Sequence, residues 1–172
     1  MVLGFLAEGP LHGYELRRKM GQLHGYARTI SDGTIYPAIK RLVRAGHVTE
    51  TIEPGRGNAP RKTLTLTNTG HDRLRDLLRN AHGHAITDGD SFFVVLSFLS
   101  HLPDETERRA VLRRRLDFLD EPSGFFFDGD RPLKRAELTD PYRQGILVTA
   151  KATRDAQRAW LRAMLAPNPP TS

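Results

Sequence analysis

The chain has 172 residues, no cysteine, 38% hydrophobic and 27% charged residues, and a formal net charge of +6. These figures allow one or two small domains with a buried core, and they exclude disulfides, thiolate metal sites and cysteine nucleophiles. The longest mostly apolar run, FFVVLSFL at 92–99, is far short of the roughly 20 residues a bilayer span needs, and Met1 leads straight into VLGFL without a basic segment, so neither a membrane span nor a signal peptide is expected.

The excess positive charge is confined to one half. Residues 1–85 hold 13 Lys/Arg against 7 Asp/Glu, whereas residues 86–172 hold 13 against 13. A basic first half beside a neutral second half implies two jobs, one of them contact with a polyanion. A mildly basic solvated surface is the plainer alternative.

In chain order, residues 2–8 form a short apolar segment ended by Gly9-Pro10, and residues 12–23 read as a helix. Ser31-Asp32-Gly33-Thr34 opens another helix with Ser31 as N-cap, and Gly46 closes it. The period then changes to two. Residues 48–53 and 61–67 alternate as strands around the Pro/Gly-rich loop 54–60. A helix over 67–83 follows, with Leu74, Leu77, Leu78 and Ala81 on one face, and 83–89 reads as a boundary. Beyond it come helices at 90–102 and 104–119, a loop at 122–141 and a long helix at 141–166. On that last helix Tyr142, Ile146, Thr149, Thr153, Trp160 and Met164 share a stripe, and residues 167–172 form a tail.

The helix at 31–45 carries the most information. With Ile35 at zero and about 100° per residue, Ile39, Leu42 and Val43 share the inner face, Tyr36 sits on its shoulder, and Thr34, Pro37, Lys40, Arg41 and Arg44 lie roughly opposite. Pro37 removes one helical hydrogen bond and presses on the carbonyl of Gly33, which has no side chain and can yield. Two helices, a turn, a basic helix and a two-stranded ribbon with an Arg-bearing tip make a winged helix-turn-helix. That arrangement sends the basic helix into the major groove and the loop toward neighbouring backbone.

The blocks Leu11-His12-Gly13-Tyr14-Glu15-Leu16, Gly33-Thr34-Ile35-Tyr36-Pro37-Ala38-Ile39-Lys40-Arg41-Leu42, Gly46-His47-Val48, Pro60-Arg61-Lys62 and Leu66-Thr67 with Gly70 resemble, in family order, the PadR family of transcriptional regulators. The resemblance spans about the first 80 residues. It implies a homodimeric, cytoplasmic, bacterial-type repressor acting on a double-stranded operator, without a cofactor, a metal, a catalytic site or a membrane partner. Carried over residue by residue, it assigns DNA contact to Tyr14, Ser31, Thr34, Tyr36, Pro37, Lys40 and Arg41, and to Arg56, Arg61 and Lys62 in the wing. Members usually carry several residues before the first helix, whereas this chain starts in it, which bears on whether Met1 is the first residue. This chain also has Val43-Arg44 where members often have an acidic residue.

The expected fold class is therefore α+β, mainly α, with a winged helix-turn-helix over 1–85 and a helical dimerisation and effector-binding region over 86–172. Tyr142, Ile146, Trp160 and Met164 are the candidates for a dimer interface or a pocket for a small aromatic or drug-like effector. Phe125-Phe126-Phe127 is expected to be packed under the dimer helices rather than exposed. Asp88-Gly89-Asp90 and Asp128-Gly129-Asp130 lack calcium-loop spacing and read as turns or caps, and His82 and His84 point apart on a helix. An alternative is a protein-interaction module that keeps the winged fold and offers its basic face to an acidic partner.

Overall fold

A computed structural model describes residues 1–23, 31–53 and 61–167, with the backbone alone at Asp32, Glu53 and Arg61. The wing-tip loop 54–60, with Arg56, and the tail from 168 lie outside the described residues. The order is α1 (Val2–Ala7), β1 (Leu11–His12), α2 (Gly13–Gln22), α3 (Asp32–Arg44), β2 (Val48–Glu53), β3 (Arg61–Leu66), α4 (Asn68–Arg79), α5 (His84–Thr87), α6 (Gly89–Phe98), α7 (Glu105–Asp120), β4 (Phe127–Asp128), β5 (Arg131–Pro132) and α8 (Pro141–Met164). Short 3₁₀ turns occupy Leu99–His101 and Arg135–Glu137.

The strands at 48–53 and 61–66 pair as expected, antiparallel with Val48 opposite Leu66 and Glu53 opposite Arg61. A third strand, β1, adds to the other edge of β3, giving the order β1-β3-β2. It is a correction to the reading of 12–23 as helix from its first residue: His12 is extended and α2 starts at Gly13. Cross-strand partners point to one face, so Val48, Leu64 and Leu66 bury together at the base while Ile52 and Lys62 run on into solvent.

Each end of α3 is made by local chemistry. At the start, the carbonyl of Ser31 accepts the Thr34 and Ile35 N–H groups at 3.0 and 3.2 Å. At the finish, Gly46 adopts φ +72°, the Gly46 N–H bonds Val43 O at 3.0 Å and the His47 N–H bonds Leu42 O at 3.0 Å, a Schellman arrangement that only a residue free of Cβ enters without strain. The Gly46 carbonyl then accepts the hydroxyls of Thr67 at 2.7 Å and Thr69 at 2.9 Å. Thr67 also caps α4, accepting the Gly70 N–H at 3.0 Å, and donates its own N–H to His47 O at 3.1 Å. Gly70 lies so close that a Cβ there would stand 2.1 Å from His47 O.

The chain divides into two compact units, Met1–Arg108 and Arg109–Ser172. The first carries on past the boundary expected after residue 85. Phe98 stands edge-on to Phe5 at 5.1 Å and closes over Gly4, where a Cβ would be 2.5 Å from the ring, and Phe92 and Leu102 are fully buried. An aromatic contact more than 90 residues apart in sequence leaves no local signal.

In the second unit, α7 and α8 are antiparallel partners joined by arginines. Buried Arg115 donates to Gln157 Oε1 at 2.9 and 2.7 Å. Arg154 bonds the Leu119 and Glu121 carbonyls, each at 2.7 Å, and Arg109 bonds those of Met164 and Leu165 at 3.2 and 2.5 Å. The guanidinium groups of Arg154 and Arg109 satisfy carbonyls that the C-terminal ends of α7 and α8 leave open. The segment read as a plain loop contains the β4–β5 hairpin, turning at Gly129 with φ +59°. In the single chain Phe125 and Phe127 are exposed and Phe126 is half-buried.

Gly70→Ala should lower unfolding stability by about 1–3 kcal/mol or more, because the methyl group meets a backbone carbonyl and not a flexible side chain. Thr67→Ala should cost about 1 kcal/mol through the lost cap. Urea denaturation followed by circular dichroism checks both.

Candidate nucleic-acid interface

The inner and outer faces of α3 differ as the helical phase requires. Ile35 and Ile39 are buried and Leu42 and Val43 half-buried, while Ser31, Thr34, Tyr36, Pro37, Lys40, Arg41 and Arg44 are exposed. Lys40, Arg41 and Arg44 form no ion pair or hydrogen bond among the described residues. Three half-buried cations elsewhere in this unit do meet acids: Lys19 with Glu8 at 2.9 Å, Arg75 with Asp72 at 3.1 Å, Arg79 with Asp76 at 2.8 Å. The outer face of α3 is thus a patch of uncompensated charge on a rigid helix.

Ser31 stands at the N-cap as expected, but its hydroxyl bonds the Thr34 hydroxyl at 2.9 Å instead of a backbone N–H. Tyr36 lays its ring on the start of α2, close enough that a Cβ at Gly13 would be 3.4 Å from the ring. Its hydroxyl has no partner among the described residues. Tyr14, the second residue of α2, is exposed, stacks on His12 at 6.0 Å and donates its hydroxyl to Glu15 Oε1 at 3.3 Å. The His12 N–H donates to Glu15 Oε2 at 3.0 Å, and this bond holds the Glu15 carboxyl below the usual carboxylate range. Tyr14 and Tyr36 therefore flank one helix N-terminus, a grouping that residues 22 apart in sequence do not announce.

In the wing, Lys62 is exposed and bonded to Glu50 at 2.7 Å, a cross-strand pair that sequence reasoning missed. Exposed pairs of this kind are held by about 1 kcal/mol or less, so the ammonium group can be recruited by a stronger anion. Arg61 opens β3, and only its backbone is described. The four candidates on α8 are not core: Tyr142 is 85%, Ile146 44% and Trp160 41% exposed, and Met164 is half-buried. Among the described residues no group of three or more His, Asp or Glu could hold a metal ion, and no helix is long and apolar enough to cross a membrane.

Residues 2–76 match the family described as the transcriptional regulator PadR-like family. Residues 2–76 are therefore a PadR-like region. The PadR-like match covers α1 through most of α4, and so the α3 surface, the sheet and the clasp between Gly46 and Gly70. The chain is 31% identical over 128 residues to an uncharacterized 37.1 kDa protein in transposon TN4556 of Streptomyces fradiae, covering 72% of this chain and 34% of that protein. It is 25% identical over 170 residues to the negative transcriptional regulator PadR of Bacillus subtilis strain 168, covering 96% and 93%. Among solved structures, Bacillus subtilis PadR in complex with operator DNA aligns over 95% of this chain and 93% of that one, with 23% identity and a TM-score of 0.45.

Tyr36→Ala should cost about 1–2 kcal/mol of stability, since half of a large ring is packed on α2, while Tyr36→Phe should change it by less than about 0.5 kcal/mol because the hydroxyl is already wet. Urea midpoints at constant m-value separate the two.

Proposed function

We propose that this PadR-like regulator is a cytoplasmic repressor that binds an inverted-repeat operator as a homodimer, placing α3 of each protomer in a major groove. The observation that carries the reading is that Lys40, Arg41 and Arg44, on the exposed face of a helix whose other face is locked into the core, have no partner among the described residues. Phosphate contacts supply much of the affinity of such proteins, and cations without internal partners meet phosphates at no cost in broken pairs. Ser31, Thr34, Tyr36 and Pro37 lie at the end of α3 that enters the groove, Tyr14 lies on the backbone beside it, and Arg56, Arg61 and Lys62 act from the wing.

Dimerisation is assigned to α8. A 24-residue helix with Tyr142, Ile146 and Trp160 exposed along one stripe offers an apolar face to a second copy. Two-fold symmetry then sets half-sites about 10 bp or a multiple apart. A planar aromatic effector beside Trp160 would bias the spacing of the two recognition helices and release the operator, leaving the promoter open.

The test is fluorescence anisotropy with a labelled duplex of the gene's own upstream region and a scrambled duplex. With about eight phosphates neutralised per dimer, log K should fall against log salt with a slope near −7. Lys40→Ala and Arg41→Ala should each flatten that slope, by about one phosphate per protomer replaced, with folding stability unchanged within about 0.5 kcal/mol. A slope between 0 and −2 on a selected operator overturns the phosphate-contact reading, and unchanged affinity in both variants points to an acidic protein partner.

Ile146→Glu should shift the protein to monomer in sedimentation velocity and lower operator affinity at least about tenfold, because the half-sites are then bound independently. A dimer that survives both Ile146→Glu and Trp160→Glu overturns the assignment of α8. Operator affinity that is equal with every member of a panel of planar aromatic compounds removes the effector.

A further inference from the structure

His12 touches two elements at once. It is the last residue of β1, paired with Thr63 of β3, and the next residue opens α2. On the α2 side, the His12 N–H donates to Glu15 Oε2 at 3.0 Å, and Oε1 of the same carboxylate accepts the Tyr14 hydroxyl at 3.3 Å. The imidazole also stacks on the Tyr14 ring at 6.0 Å, 12° from parallel. On the wing side, its Nδ1 lies 3.3 Å from the Lys62 carbonyl oxygen and 3.4 Å from Thr63 Oγ1.

These partners fix the tautomer of the ring. A carbonyl oxygen only accepts, so the nitrogen facing it carries the proton. Nδ1–H therefore donates to the Lys62 carbonyl, Thr63 Oγ1 is a second acceptor of the same proton, and Nε2 is the bare nitrogen of the neutral ring. The place of this bond matters because β1 is so short. It covers β3 at Leu64 and Thr63 and stops there, whereas β3 and β2 run on together as a ribbon through Lys62 and Arg61. A two-stranded ribbon is marginal on its own in water. The ring of His12 carries the edge of β1 one residue further, onto the first residue of the ribbon that β1 does not reach.

Resting on the reading of Tyr14 and Lys62 as phosphate contacts, we infer that His12 is a positioning residue for DNA binding. Its Nδ1–H bond sets the wing strand at Lys62 relative to the start of α2, so that the ammonium group meets a phosphate while Tyr14 and α3 are seated. The Lys62 side chain is exposed and held only by an exposed pair with Glu50, so the place of its ammonium group follows the place of the backbone beneath it. His12 acts through that backbone and does not itself touch DNA.

The experiment measures affinity against salt on the operator that the wild-type protein selects from a randomised duplex pool. The full chain is compared with His12→Leu, His12→Asn, Lys62→Ala and the double variant of His12→Leu with Lys62→Ala. Lys62→Ala removes the ammonium group and keeps the carbonyl, and should flatten the slope of log K against log salt by about 0.9 per protomer. His12→Leu should flatten the slope equally and weaken operator binding about three- to tenfold, although it removes no group that touches phosphate. His12→Asn, whose side-chain N–H can stand where Nδ1–H stood, should keep the wild-type slope and an affinity within about twofold. In the Lys62→Ala background, His12→Leu should change neither quantity. Imidazole nitrogen resonances of the wild-type protein with the ring neutral should show the His12 proton on Nδ1, a readout that needs no variant to fold. A His12→Leu protein with the wild-type slope overturns the inference and leaves the DNA-binding reading intact. So does a further flattening by His12→Leu on top of Lys62→Ala, and so does a proton on Nε2. A slope that Lys62→Ala leaves unchanged overturns the wing contact itself, and the inference with it.

Discussion

The carbonyl of Gly46 is the point on which the basic helix turns. It ends α3 in a left-handed residue and accepts hydroxyls from both Thr67 and Thr69, while the neighbouring His47 carbonyl accepts the Thr67 N–H. Because Thr67 also caps α4, three elements meet through four hydrogen bonds within a few residues: the end of α3, the exit of β3 and the start of α4. Gly70 has no room for a side chain because the His47 carbonyl occupies it. The angle between the exposed face of α3 and the wing is therefore fixed by backbone chemistry and not by the charged groups that use it.

Charge is organised by pairing more than by number. In the second unit arginines are committed inward, onto Gln157 and onto the carbonyls at the ends of α7 and α8, and Arg158 and Arg162 converge on Asp120. That convergence, led by the Arg158 hydrogen bond, holds the Asp120 carboxyl below the ordinary range. On α3 three cations face outward with no acid paired to them among the described residues. The two halves of the chain hold equal numbers of lysines and arginines and differ in their acids, and the physical contrast is between cations spent on closing helix ends and cations left for a partner.

The sequence made legible whatever depends on short-range periodicity. The inner face of α3, the alternation of β2 and β3, the glycine stop at 46, the N-cap position of Ser31 and the cap at Asp88 all follow from residues a few positions apart. What it hid depends on distance or brevity. Two residues, Leu11 and His12, are too few to alternate, so β1 was invisible until β3 was there to pair with it. The Phe5–Phe98 contact and the Lys62–Glu50 pair are tertiary events that no window of sequence contains. Trp160 was legible as part of a stripe but not as exposed, because an apolar stripe has the same period whether it faces a core or a second surface.

The outward cations of α3 have no ion pair or hydrogen bond among the described residues, which bears on descent. Replacing a residue there alters what the helix meets outside while leaving the folding free energy almost where it was. Substitutions can accumulate on this strip without first passing through an unstable ancestor, whereas the inner strip, with Ile35 and Ile39 in the core, is held nearly still. Duplicated copies of such a gene could part ways in what they recognise long before they part ways in shape.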